Sequence, residues 1–261
     1  MTATCQPVVF VSHGAPTLAL EPGPARGALA ALGASLPRPL SILVVSAHWG
    51  TAGPELDVSP HPQTIHDFYG FPQALYEMRY PAPGAPALAA RAGELFAAAG
   101  LATKTVERGL DHGAWVPLML MFPDAGIPVA QLSVQAARGP GHHWRLGELL
   151  RPLREAGVLI LASGSVTHNL GEFGRHRYDS EPPAWVSGFN DWLHGRLLAG
   201  EREALLDYRR LAPDAVRNHP TEEHLLPLFV AAGAATSGVT PQRVYAGYTY
   251  GVIGMDAYLF Q

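Results

Sequence analysis

Five short runs of apolar, mostly β-branched residues punctuate the chain. They span residues 7–12 (PVVFVS), 41–47 (SILVVSA), 127–134 (IPVAQLSV), 158–162 (VLILA) and 243–250 (RVYAGYTY). Runs of this length, bounded by turn-forming residues, read as strands, and their near-continuous apolarity marks them as buried. Between them lie segments of helical length at 24–36, 86–99, 141–155, 182–198 and 222–234. Pro24 and Pro86 stand at the first position of theirs, a favoured place for proline. Strands alternating with helices predict an α/β fold with a mixed or largely parallel central sheet flanked by helices. No internal repeat, linker-like break or low-complexity tract interrupts the pattern, so one domain over residues 1–261 is expected. Residues 50–84, rich in Pro, His and aromatics, form the longest stretch without a pattern. A long ordered loop of this kind is often a lid or a binding loop.

Composition narrows the classes of function. The chain has 261 residues, 48% of them hydrophobic, which is ample for a large core. Its 28 glycines and 24 prolines are spread along the chain rather than gathered in a tail, as suits many loops on an ordered core. The net charge is −4 with no basic run, which argues against nucleic acid or an anionic membrane as partner. No apolar stretch approaches the ~20 residues of a membrane span, and the N-terminus lacks the pattern of a signal peptide. One cysteine, Cys5, excludes an internal disulfide framework and a cysteine-based metal site. A soluble cytoplasmic protein is the expectation.

Twelve histidines are present, and position separates them. His13 ends the first apolar run, His48 follows the second, and His168 follows VLILASGS. In open α/β sheets ligands gather beyond the carboxyl ends of the strands. Three strands each delivering an imidazole to that edge therefore point to one divalent metal ion with an open position for substrate or water. A further candidate comes from NHPTEEHLLP, where His219 precedes a proline and His224 falls in the first turns of the expected helix, with Thr221 as its cap. Either can face the cavity, and His224 has the more constrained backbone. Asp111 beside His112 can orient that ring, although sequence neighbours rarely point the same way. His61 and His66 belong to the unpatterned loop; His142, His143, His176 and His194 read as structural or solvated. No HExxH, phosphate loop or GxGxxG after a strand occurs, and the spacing around Ser165 fails that of a serine nucleophile elbow.

Seven ordered motifs carry a resemblance: SHGAPTL (12–18), SAHWG (46–50), IHDFYGFP (65–72), DHGAWVPL (111–118), SGSVTHNL (163–170), HPTEEHLLPL (219–228) and YGVIGMDAYLF (250–260). Together they resemble the DODA-type extradiol aromatic ring-opening dioxygenases, a branch of the class III, LigB-like superfamily. The resemblance implies a single α/β domain and a metal site of His13, His48 and His224. It places His168 beside the metal as acid/base or fourth ligand, and His112 against the substrate. It implies Fe(II) for activity, with Zn(II) an occupant of the same donors, and a small aromatic diol, DOPA-like, with O2 as partners. Trp49 and His219 are further candidates for substrate contact; Phe68, Tyr69 and Trp115 could form an aromatic wall or simply pack. Arg175 and Arg177 either pair a substrate carboxylate or lie on the surface. Two rival readings stand beside this one: a zinc hydrolase using a metal-bound water, and a non-catalytic superfamily member that binds a protein partner.

Overall fold

The computed structural model describes residues 4–261. In chain order its strands are β1 (Val8–Ser12), β2 (Ser41–Gly50), β3 (Glu55–Asp57), β4 (Lys104–Val106), β5 (Val129–Val134), β6 (Val158–Gly164), β7 (Thr167–His168), β8 (Gln242–Tyr245), β9 (Tyr248–Thr249), β10 (Ile253–Gly254) and β11 (Ala257–Phe260). Eight of them form one sheet in the order β4-β3-β5-β2-β6-β1-β11-β8. Its centre, β5-β2-β6-β1, is wholly parallel. The flanks are antiparallel where β3 meets β5 and where β11 meets β1 and β8.

Alternation along the central strands builds two cores. Val8 and Phe10, Leu43 and Val45, Ile160 and Ala162 face one layer, with Phe96, Leu146, Phe189 and Phe229 from four helices. Val9 and Val11, Ile42 and Val44, Leu159 and Leu161 face the other, with Leu29, Leu32, Trp115 and Leu118. Each such Val, Leu, Ile or Phe side chain, buried from water, contributes about 1.5–3 kcal/mol of hydrophobic stabilisation. Burial on both faces is why these strands lack a polar alternation.

The structure revises several boundaries. Residues 243–250 do not make one strand: the chain leaves the large sheet after Tyr245, and β9 pairs with β10 in a small sheet of order β7-β10-β9. The helix expected over 141–155 runs instead as Gly139–Leu150 and Pro152–Glu155. Pro152 cannot donate to the carbonyl four residues back, so the helix breaks there. The helix expected from residue 222 begins only at Leu226, with Pro227 in its first turn. A helix over His112–Met121, capped by Asp111, carries no period to announce it, being buried all round and interrupted by Pro117. Among the described residues no helix is long and apolar enough to cross a membrane.

Candidate metal centre

The site grows from the carboxyl end of the parallel core. β1 and β6 run side by side to Ser12 and Gly164. Beyond them the backbone is stitched together: His13 N–H donates to the Gly164 carbonyl (3.0 Å) and Ser165 N–H to the His224 carbonyl (2.8 Å). Gly164 makes this possible, because a Cβ there would stand 2.1 Å from the His224 oxygen. His48 arrives from β2, which runs on past residue 47. Its pairing with β5 is irregular between Val45 and Gly50. Arg108 bonds the His48 carbonyl (3.2 Å), and Ser46 Oγ accepts from the His48 N–H (3.2 Å).

Three imidazoles converge there. His48 Nε2 lies 3.0 Å from His13 Nε2 and 3.3 Å from His224 Nε2. On the far side of each ring, Nδ1 faces an oxygen. His224 Nδ1 is 3.0 Å from the Glu223 carboxylate, and His48 Nδ1 is 3.5 Å from that of Asp67. Both carboxylates can only accept, which sets the His224 proton on Nδ1 and favours the same place for that of His48 across its longer contact. His13 Nδ1 is 3.0 Å from Ser163 Oγ. Burial, then the neighbouring imidazoles, hold His13 and His224 well below the ordinary histidine pKa and bring His48 to about 3. The rings are therefore neutral at pH 7, and with their protons on Nδ1 they would turn unprotonated Nε2 atoms toward one another. Lone pairs crowded at 3.0–3.3 Å repel unless a cation lies among them, so the donor set fits a metal ion.

Two further histidines complete the ring of imidazoles. His168 stacks on His224, ring centres 3.5 Å apart, and burial followed by His48 and His112 lowers it to about 4. The His112 ring lies 3.9 Å from that of His48. Its backbone N–H donates to Asp67 Oδ1 (2.9 Å), and its Nδ1 lies 3.0 Å from the same oxygen without a well-aligned hydrogen bond. Desolvation would raise the Asp67 carboxyl, but contact with His112 and the nearby His48 bring it down to about 2. Two sets of metal-competent side chains thus adjoin: His13, His48 and His112, and His168, Glu223 and His224. Above them opens a cavity of about 700 Å³, walled by Phe68, Tyr69, Phe71, Leu170, Phe173 and Ile253.

Several expected residues lie elsewhere. Trp49 does not line the cavity: it follows His48 along a strand, where successive side chains point to opposite faces, and it is buried under the Arg108 guanidinium. His219 is also misplaced by the sequence reading. It is wholly buried, donates its Nε2–H to the Val166 carbonyl (2.9 Å) and packs against Phe189 and Tyr208. Because the helix starts after His224, that residue sits in the preceding loop, and Thr221 caps nothing; its hydroxyl donates to Glu223 (2.9 Å). Asp111 turns away from His112 and is buried among Ser46, Gln131 and Arg108. Trp115 packs in the core with its indole N–H on the Ile65 carbonyl. Arg175 and Arg177 are exposed, paired with Glu172 and Asp179. His61 borders a separate cavity, His66 bonds the Met78 carbonyl, and His142, His143 and His194 bond Gln135, Gly139 and Tyr258.

Sequence reasoning did not single out Asp67, Glu223, Ser163, Phe71 or Phe173. Only weak signals mark them: Asp67 lies in the unpatterned loop, Glu223 directly precedes His224, and Ser163 is a polar residue closing an apolar strand.

The likenesses to known proteins point to the same chemistry. Residues 8–259 match the family of the catalytic LigB subunit of aromatic ring-opening dioxygenase. The chain belongs to this family. It is 41% identical to a 4,5-DOPA dioxygenase extradiol of Beta vulgaris over 96% of this chain and 95% of that one. The protein of the same description from Escherichia coli (strain K12) is 42% identical, over 90% and 87% of the two chains. The crystal structure of an uncharacterized protein from Escherichia coli K12 superposes with a TM-score of 0.81 at 31% identity, covering 98% of this chain and 100% of that one. The chain is thus an enzyme of the extradiol ring-opening class, and neither the hydrolase nor the protein-binding alternative is favoured.

Proposed function

We propose that the enzyme opens the ring of a catechol-type diol with O2, beside the hydroxyl pair, at one divalent metal ion held by His13, His48 and His224. The observation that carries this reading is the convergence of three Nε2 atoms at separations of 3.0 and 3.3 Å. Metal–nitrogen bonds of about 2.0–2.1 Å in a tetrahedral set place neighbouring nitrogens about 3.3 Å apart. Such an ion supplies a positive centre with open positions for the diol oxygens and O2. Fe(II) is the ion assigned for activity, and Zn(II) suits the same donors.

The chain's own residues then divide the work. His168 stands beside the donor set in its neutral form, ready to take a proton from a diol hydroxyl and return it to the product. His112, steered by Asp67, offers its remaining ring edge to the diol. Phe68, Phe71 and Phe173 provide an apolar wall for the aromatic ring. The relatives' names favour a DOPA-like diol. Among the described residues, however, no Lys or Arg lines the cavity, so a substrate carboxylate is not paired by Arg175 or Arg177. The catechol half is what the site is shaped to hold. A cytoplasmic location suits an enzyme with one cysteine and a ferrous centre.

The test is oxygen uptake on a panel of small catechols after anaerobic loading with Fe(II). A coloured semialdehyde should form only when O2 is admitted. Product formation without O2 would reject ring opening. His168→Ala should keep its metal while turnover falls about 10²–10⁴-fold, the usual weight of one acid/base group; loss of metal would make His168 a ligand instead.

A further inference from the structure

We infer that Ser163 is a positioning residue that sets the tautomer of His13, and that Pro117, by leaving the Gly113 carbonyl without a helical donor, is what commits the Ser163 proton elsewhere. This rests on the reading of His13 as a metal ligand. His48 and His224 each have a carboxylate behind Nδ1, and a carboxylate dictates the proton's place. His13 has only the Ser163 hydroxyl there, at 3.0 Å. A hydroxyl can donate or accept. If it donated to His13, the ring proton would move to Nε2, and His13 would have no lone pair for a metal.

The structure removes that choice. Ser163 Oγ–H donates to the carbonyl of Gly113, in the first turn of the helix His112–Met121. In an unbroken helix that carbonyl would accept the N–H of residue 117. Residue 117 is proline, which has no N–H to give. The Gly113 carbonyl is thus left to be served by Ser163, both groups being buried. With its one proton committed, the hydroxyl can only accept from His13, so His13 carries its proton on Nδ1 and turns a bare Nε2 toward His48. A helix-breaking residue on one element thereby sets the ligand chemistry at the end of another.

The test is ¹⁵N NMR of the metal-free protein with labelled histidine, paired with divalent zinc affinity measured by chelator competition. Wild type should show His13 protonated at Nδ1. Ser163→Ala should bring in the Nε2-protonated form and weaken zinc binding about 10–100-fold, the range for loss of a ligand's hydrogen-bond partner. Ser163→Thr, which restores the hydroxyl, should recover both. Pro117→Ala leaves β6 untouched and gives the Gly113 carbonyl a helical donor; it should shift the tautomer the same way with a smaller loss of affinity, and it carries the test if Ser163→Ala fails to fold. Wild-type tautomer together with zinc affinity within twofold of wild type in the folded variants would overturn the inference. If His13→Ala binds zinc as tightly as wild type, the reading of His13 as ligand fails first, and the two failures are told apart.

Discussion

The floor and the mouth of the cavity are built on different principles. On the floor, His13, His48 and His224 are held by strand ends, by backbone hydrogen bonds between β1, β6 and the loop before Leu226, and by an oxygen behind each ring. At the mouth, Tyr69 is 92% exposed and Leu170 62% exposed; the first stands in the long loop after β3 and the second opens the one-turn helix Leu170–Phe173. Ligands must be held to within fractions of an ångström, and only packed elements provide that. A wall that greets variable substrates needs area more than precision. Under the proposed function, the contrast assigns reactivity to the floor and selectivity to the mouth.

The sharpest way to break this division is to remove one ring from each side of the donor set. His224→Ala should lose bound metal, by more than the about 10–100-fold typical of outer partners, whereas His112→Ala should retain metal and lose turnover. Metal analysis of the two purified variants decides it; metal loss in His112→Ala alone would exchange their roles. Next in size is Gly164→Ala. Its methyl would meet the His224 carbonyl oxygen at 2.1 Å, so the loop must move, at a cost of ~1–3 kcal/mol or more. Thermal melts and zinc affinity should fall together; an unchanged melt would show that the stitching between β6 and His224 is not needed.

Acidity probes the floor as a whole. His13, His48, His143, His168, His219 and His224 all have folded pKa values below the ordinary one, chiefly through burial. The unfolded chain takes up their protons near pH 6.5 while the folded protein does not, so the unfolded state binds more protons and stability rises with pH. The stability is therefore full above about pH 6.5 and is lost as pH falls from there toward 4, with up to ~1.4 kcal/mol per pH unit from each histidine. Urea unfolding of the metal-free protein at pH 7.5 and pH 5 measures this; superimposable curves would mean these rings are not buried as described. Smallest is Tyr69→Ala at the mouth. It should shift KM by up to about fivefold, equivalent to about 1 kcal/mol, with metal content and melting temperature unchanged. A lost metal site in that variant would erase the distinction between floor and mouth.

Much of this was legible in the residues themselves. The apolar runs of β1, β2, β5 and β6 announce buried parallel strands because both faces of each are covered. His13, His48 and His168 are noticed because they fall where such runs end. The helix His112–Met121 was not legible, since a segment buried all round has no period and its proline argues against a helix. Trp49 and His219 read as site residues because they lie close in sequence to His48 and His224; strand alternation and a wholly buried loop carry their side chains away from the cavity.

Local chemistry along the chain thus determined the α/β class, the central strands and which histidines could matter. The resemblance groups His224 with His13 and His48, but only the tertiary structure brings the three rings together, stands Asp67, Glu223 and Ser163 behind them, and leaves Arg175 and Arg177 outside. The reason is physical. A strand is declared by neighbours two residues apart, whereas a coordination site is declared by distances among groups up to two hundred positions apart, roughly, and these come into being only when the chain packs.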